Sequence, residues 1–475
     1  MFKKRVAGLL AAIMCISMVG CGGSENAENS DAEGGTSQEA SSEETDSSED
    51  SGGESESGSG DTIKIALGAN DIDLFYGPLI EQFEEETGKD VEIIEIPQGA
   101  DMYTKITMMM QSPETCPDLI TEDGFMIMSD AKAGYLEPLD DFMSEWEDAQ
   151  YFDETVLEGG KGEDGVQYGI PLSTDVQCIW YDKQLMEQAG VPVPFEPKTW
   201  DDIIEAGKKL KALGDDIIPL YIFASKSSPE ETSMRTFQQL YSGTGGTLYD
   251  FETEKWIVNK DNLLKVFNFV NDVFNVEKIG APMSQVAQNG IESVYKSDQM
   301  QNHKLGMIST GSWTAGSWGD GGEYPWPEWK DTWDVAAFPT YDGSGAGYTT
   351  MSGGWTWAIP ANATNKEGGK ELLKFMANKE NQVSYALYSG NLAVRTDVME
   401  DPAYTGQDPS VINETTAMLE FTHFRPSVEG YATLTTMFTE VTESVALAAA
   451  TPEEAVETFE SEMIRIVGEE NVTVE

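Results

Sequence analysis

Basic residues are scarce in this chain. Lys and Arg number 29 against 84 Asp and Glu, a formal net charge of −55 over 475 residues. With no basic patch to displace counterions from phosphates, a nucleic-acid partner is excluded. Adsorption of the folded part to an anionic membrane is excluded for the same reason. Cysteine is scarce too: beyond Cys15 and Cys21, only Cys116 and Cys178 occur. Two such thiols make no disulfide framework and are expected to be separate, reduced or buried. The two histidines, His303 and His423, are too few for a His/Cys zinc cluster, so neither metal nor cofactor is expected. Long apolar runs are missing. The richest N-terminal run, 6–19, has 14 residues, short of the roughly 20 a spanning helix needs. The later run 445–450 reads only as a helix end. Nucleophile-elbow, HExxH and Walker patterns are absent as well.

What is present begins with an export signature. Lys3, Lys4 and Arg5 precede the short apolar run, and Met18-Val19-Gly20-Cys21 closes it. A cysteine just after a small residue resembles a bacterial lipobox. The resemblance implies a signal peptide over 1–20, a lipid on Cys21 and a mature chain that starts there. Residues 22–61 then carry 13 acidic residues, no basic ones and no apolar side chain larger than Ala. Such a stretch buries too little to offset its ordering entropy, so 21–61 is expected to be a disordered, self-repelling linker. A flexible coil of that length spans on the order of 35 Å.

Residues 62–475 are long enough for two sizeable lobes. Alternation of Ile63, Ile65 and Leu67 predicts a first strand, with further strands at 91–96 and 118–121. Helices are expected from Pro78, with Gly88 as C-terminal cap, and over 102–110. Later strands are predicted at 176–181, 304–309, 335–338 and 356–359. Thr199-Trp200-Asp201-Asp202 opens a helix, 367–386 reads as one long helix, and Thr451-Pro452-Glu453-Glu454 caps a last one. Strand and helix alternate as in parallel α/β units. Asp342-Gly343-Ser344-Gly345-Ala346-Gly347 lacks the Lys-Ser/Thr ending of a phosphate loop and reads as a hinge or turn.

Several motifs in order carry a family resemblance. Phe83-Glu84-Glu85-Glu86-Thr87-Gly88 stands before a Val/Ile strand. Cys116-Pro117-Asp118-Leu119-Ile120 is followed by Ala133-Gly134-Tyr135-Leu136-Glu137-Pro138-Leu139-Asp140-Asp141. Tyr168-Gly169-Ile170-Pro171, Trp180-Tyr181-Asp182-Lys183, Ala189-Gly190 and Thr199-Trp200-Asp201 come next, with Asp182 where an Asn is usual. Gly306-Met307-Ile308 leads to Gly311-Ser312-Trp313, and Gly353-Gly354-Trp355 to Ile359-Pro360. Over about 400 residues this series resembles the family-1 extracellular solute-binding proteins of the carbohydrate type. The resemblance implies an α/β, two-lobed, periplasmic-binding-protein-like fold with an inter-lobe ligand cleft. The first lobe would be 62–171 plus 347–391 and the second 175–338 plus 395–475. Hinge crossings would fall near 170–174, 339–347 and 391–395.

Sugars need directional hydrogen bonds for their hydroxyls and flat rings for their C–H faces. Trp313 and Trp355 are the aromatic candidates, among seven tryptophans between 313 and 357. Trp333 and Trp357 read as core. Trp326 and Trp329, in a Pro-rich loop, read equally as cleft rim or loop staple. The polar candidates are Asp175 just past the hinge, Asn70 and Asp71 after the first strand, and Glu122 and Asp123 after the third, because open α/β sheets bind ligands at strand C-termini. Arg395 and Arg425 stand out in a base-poor chain. The expectation is a lipid-anchored, monomeric binding protein on the extracytoplasmic face of the cell membrane. It would capture a carbohydrate by lobe closure and deliver it to ABC permease subunits, with no catalysis. Two alternatives are a binding protein for a peptide or polyamine, and an exported glycoside hydrolase with paired carboxylates.

Overall fold

Strand β1 (Ile63–Gly68) is buried on both faces, as central parallel strands are. Ile63, Ile65 and Leu67 point into one apolar core, and Ala66 points into another on the far side of the sheet. The computed structural model describes residues 62–97, 102–319, 322–406, 409–426, 428 and 430–475; the signal segment, the linker and Cys21 lie outside them. Following β1 come helix α1 (Gly77–Thr87), β2 (Val91–Ile96), α2 (Met102–Met110), β3 (Leu119–Asp123), α3 (Gly124–Lys132) and β4 (Gly169–Pro171). Gly88 closes α1 in the left-handed conformation that Gly adopts without Cβ strain.

The chain then builds a second sheet from β5 (Gln177–Asp182), β6 (Ile218–Tyr221), β7 (Leu305–Gly311) and β8 (Trp333–Ala336), in the order β8-β5-β7-β6. Helix α4 (Trp200–Lys211) covers it with Ile203 and Leu210 and starts on a capping box of Thr199 and Asp202. Asp182 accepts from the backbone N–H of Gln184 and Leu185, the helix-capping task its Asn counterpart would share. After β8 a short strand β9 (Phe338–Pro339) pairs antiparallel with β10 (Tyr348–Ser352). The chain next returns to the first sheet as β11 (Trp355–Ala358), giving the order β2-β1-β3-β11-β4. Helices α5 (Lys366–Met376) and α6 (Lys379–Ser389) follow. The single helix expected over 367–386 is broken because the Asn378 carboxamide accepts from the Asn381 N–H at 2.8 Å and caps a new helix. Strand β12 (Thr422–Phe424) then adds to β10, and α7 (Tyr431–Ala446) and α8 (Pro452–Val467) close the second lobe.

Each lobe has its own core. In the second, Phe237, Phe438 and Phe459 stack with centroids 4.7 to 5.4 Å apart; burying one such ring contributes about 1.5–3 kcal/mol. Trp180, Trp318 and Trp329 form a second aromatic knot. Trp326 meets Trp318 edge-on at 5.4 Å, so the Pro-rich loop is stapled to the core rather than rimming a cleft. Trp333 and Trp357 are buried, as their positions in strands predict. Cys116 and Cys178 are separate, buried free thiols whose pKa values burial raises.

The two sheets are joined where three chain segments run side by side. The N–H of Leu172 donates to Trp355 O at 2.8 Å, and Thr174 Oγ1 donates to Gly353 O at 3.2 Å. Thr174 also bridges to Leu392. The glycine run 342–347, expected at a crossing, instead turns β9 into β10, and 348–352 pairs with β9 and β12 rather than joining the first sheet. The crossing lies at Gly353–Gly354. Gly354 has φ of 139°, and a Cβ there would lie 2.1 Å from Ser173 O, so the close passage of the segments requires glycine.

Candidate functional site

Strand ends from the two sheets meet beside these crossings. In the first lobe, β3 ends at Asp123, whose ladder partner is Trp355 at the start of β11. Trp355 is half-buried and shares a recess of about 20 Å³ with Gly68, Asp71, Tyr76 and Tyr385. Asp71 accepts from the Tyr388 hydroxyl at 3.1 Å, and burial raises its carboxyl above the usual range. Asn70 lies beside it on the same short helical turn, Ala69–Asp71. Asp123 accepts from the Tyr103 hydroxyl at 3.1 Å.

In the second lobe, β7 ends at Gly311, and Trp313 follows, half-buried. The Arg235 guanidinium lies 4.9 Å from the Trp313 ring centroid and 5.2 Å from that of Phe223. Arg235 also faces Glu292 at 3.7 Å and Glu231 at 4.0 Å. Burial opposes its charge, and these two carboxylates more than restore it. Glu292 is likewise pulled two ways: burial would raise its pKa, but Lys296 at 3.1 Å and Arg235 bring it down to about 2. Asp175 opens the stretch before β5. It accepts from the Gly353 N–H at 3.2 Å and the Gln177 carboxamide at 3.4 Å. Burial pushes its pKa up to about 6 despite the nearby Arg425.

Arg425 joins the two halves. Its guanidinium donates to Asp123 of the first lobe at 2.8 Å and to Glu230 of the second. It sits 4.3 Å from the Phe125 ring centroid, and Phe125 in turn meets Tyr431 across the gap at 6.1 Å. A Cβ on Gly353 would stand 3.1 Å from the Arg425 guanidinium and 3.4 Å from Asp175. A cavity of about 370 Å³ opens alongside, lined by Phe125, Pro171, Ser173, Gly353, Gly354 and Arg425 among others. A larger one of about 540 Å³ lies within the second lobe, between 241–249 and strands β10 and β12. Neither cavity touches Asp123, Asp175, Trp313 or Trp355, but only the smaller one is lined by Arg425 and Phe125. The smaller cavity is the one at the strand C-termini, where open α/β sheets bind ligands.

The structure thus brings together Asp71, Asp123, Asp175, Trp313, Trp355 and Arg425. It does not bring Glu122 or Arg395. Glu122 is 1% exposed and turned into the first lobe against Asp130. Burial and Asp130 both raise its pKa, so Glu122 keeps its proton beside the Asp130 carboxyl. Arg395, also 1% exposed, donates to Asp397 at 2.9 and 3.0 Å, to Asp148 at 3.1 Å and to Ala377 O at 2.8 Å, all away from the cleft. Arg235, Glu230, Glu231, Glu292, Lys296, Tyr103 and Phe125 escaped the sequence reading. One signal was there for Arg235: only four arginines follow residue 61, and it is one of them.

The model of the bacterial extracellular solute-binding proteins matches residues 68–383 of this chain. The chain belongs to that family. Among its relatives, the arabinooligosaccharide-binding protein of Halalkalibacterium halodurans is 22% identical over 363 residues, 73% of this chain and 74% of the relative. Two solved structures share the two-lobed fold. One is an ABC transporter solute-binding protein of Thermotoga lettingae bound with α-D-tagatose: TM-score 0.73, 22% identity, 86% of this chain and 100% of that one. The other is maltose-bound MalE3 of T. maritima: TM-score 0.73, 20% identity, and the same coverages. As a family member the protein is a binding protein of the extracytoplasmic side. Among the described residues no helix is long and apolar enough to cross a membrane.

Proposed function

We propose that this solute-binding protein captures a sugar or oligosaccharide by closing its lobes and delivers it to ABC permease subunits, catalysing nothing. The observation that carries the reading is the matching of the two facing strand ends. Each offers one half-buried tryptophan, Trp355 or Trp313, with carboxylates beside it. Hydroxyls take charge-assisted hydrogen bonds, and C–H faces lie on rings. The three adjacent crossings at 172–174, 353–354 and 391–393 form a hinge, and ligand shifts the population by its greater affinity for the closed form. Arabinooligosaccharide, tagatose and maltose as the ligands of similar proteins support a carbohydrate. Asp71, Asp123, Asp175, Trp313, Trp355 and Arg425, with Arg235 and Glu230, form the site. A lipid on Cys21 and the acidic linker keep the monomeric protein near its permease.

Thermal shift against a glycan panel tests this, since a ligand bound only by the folded state raises Tm by mass action. A sugar that raises Tm and changes Trp fluorescence without turnover supports the reading. Steady release of hydrolysis products would defeat it.

A further inference from the structure

We infer that the cleft is built for neutral polyhydroxyl ligands and rejects anionic ones such as uronates and sugar phosphates. The inference rests on the carbohydrate-binding reading above and narrows it. Four cations, Arg235, Arg425, Lys296 and the cavity-lining Lys161, stand at or behind the facing strand ends, and in isolation they would suggest an anion site. None is available. Arg425 is held between Asp123 and Glu230 with Phe125 against it. Arg235 is held between Glu292 and Glu231 with Trp313 against it. Lys296 is bound to Glu292, and Lys161 to Glu158.

The carboxylates outnumber these cations. Asp71, Asp123, Glu158, Asp175, Glu230, Glu231 and Glu292 make seven against four. A ligand carboxylate or phosphate would have to displace one carboxylate from a guanidinium while standing beside the others. Like charges at such distances are strongly unfavourable in a partly desolvated cleft. The carboxylates are also engaged: Asp123 by Arg425 and Tyr103, Asp71 by Tyr388, Glu292 by Lys296, Arg235 and the Tyr295 hydroxyl. Asp71 and Asp175 have hydrogen-bond donors rather than cations as partners, and burial favours their neutral forms, which weakens their pull on an ammonium. What remains is the free lone pairs of oxygens already held in place by cations or by hydrogen-bond donors. Ligand hydroxyls donate to these without adding charge, through charge-assisted hydrogen bonds on a pre-organised frame.

The test uses the full chain and matched pairs: glucose with glucuronate and glucose 6-phosphate, galactose with galacturonate, maltose with maltobionate, and glucosamine as the cationic arm. Thermal shift and calorimetric titration are read at low and high salt. The expected result is that at least one neutral sugar raises Tm with a salt-independent Kd, and that its anionic partner binds roughly a hundredfold more weakly or worse. An anionic member that binds as tightly as its neutral partner, or tighter at low salt, overturns the inference while leaving carbohydrate binding intact. Glucosamine binding well above glucose overturns it as well. A panel in which no sugar of any charge raises Tm overturns both this inference and the function on which it rests.

Discussion

Two buried arginines show how differently this chain uses the same side chain. Arg395 bridges to Phe152 of the first lobe and is held there by Asp397, Asp148 and the carbonyl of Ala377, so the chain stays with that lobe past the boundary expected at 395. Arg425 binds one carboxylate from each lobe, Asp123 and Glu230. The first arrangement does not change when lobes move; the second exists only while they are together. The acids divide in the same way. Glu122 keeps its proton beside Asp130 inside a lobe, whereas Asp175 is buried at the crossing and hydrogen-bonded to the backbone of the neighbouring segment. Interior charge is paired within one lobe, and charge at the crossings meets the neighbouring lobe or segment.

The largest effect expected from this division is on stability. Arg395→Ala leaves Asp397 and Asp148 without their cation and opens a hole, and breaking such a pair costs about 3–5 kcal/mol. Urea denaturation should show that loss, with ligand affinity of the folded fraction unchanged. Affinity lost at undiminished stability would erase the contrast with Arg425.

The next effect is confined to a pH window. The folded pKa of Asp175, about 6, lies above its ordinary 3.8. Below the lower value both states hold the proton and the group costs nothing. As pH rises between them, the folded state keeps a proton that the unfolded state has lost, and stability falls. Above the upper value the full cost is present, on the order of 3 kcal/mol. Asp175→Asn should therefore flatten the decline of stability between pH 4 and 6, about the window those two values bound. An unaltered pH profile would show that Asp175 is not desolvated.

Arg425→Ala should disturb stability less than Arg395→Ala and ligand affinity more. A tenfold or greater rise in Kd, about 1.4 kcal/mol or more, is expected by calorimetry. The smallest effect belongs to Glu122→Gln. Because Glu122 already carries its proton, the neutral isostere should shift stability by less than about 1 kcal/mol and leave affinity alone. A large loss of affinity would return Glu122 to the cleft.

Local rules made much of the fold legible. The periods of Ile63, Ile65 and Leu67 and of Val91 to Ile96, the caps at Gly88, Thr199 and Thr451, and the strand ending in Gly311-Ser312-Trp313 all act over a few residues. What failed depends on long-range pairing. A flexible Gly-Ser-Gly run suits a hairpin turn as well as a hinge, and only the pairing of β10 with β12 decides between them. Glu122 and Asp123 are adjacent in sequence, yet strand alternation sends one inward and the other to the cleft. Arg395 and Arg425 were equally conspicuous in a base-poor chain, and composition could not say which one spans the lobes. Glu230 and Arg235 are near neighbours on consecutive helical segments, but Glu292 comes from a helical segment far along the chain and reaches Arg235 only by the packing of the second lobe.

The most direct test of the division is calorimetric titration of one neutral sugar, chosen by thermal shift, into the wild-type protein, Trp313→Ala, Arg425→Ala and Arg395→Lys. One sugar per wild-type chain is expected, with the same affinity for folded Arg395→Lys and a marked loss for both Trp313→Ala and Arg425→Ala. Wild-type affinity in both of those cleft variants would contradict the division.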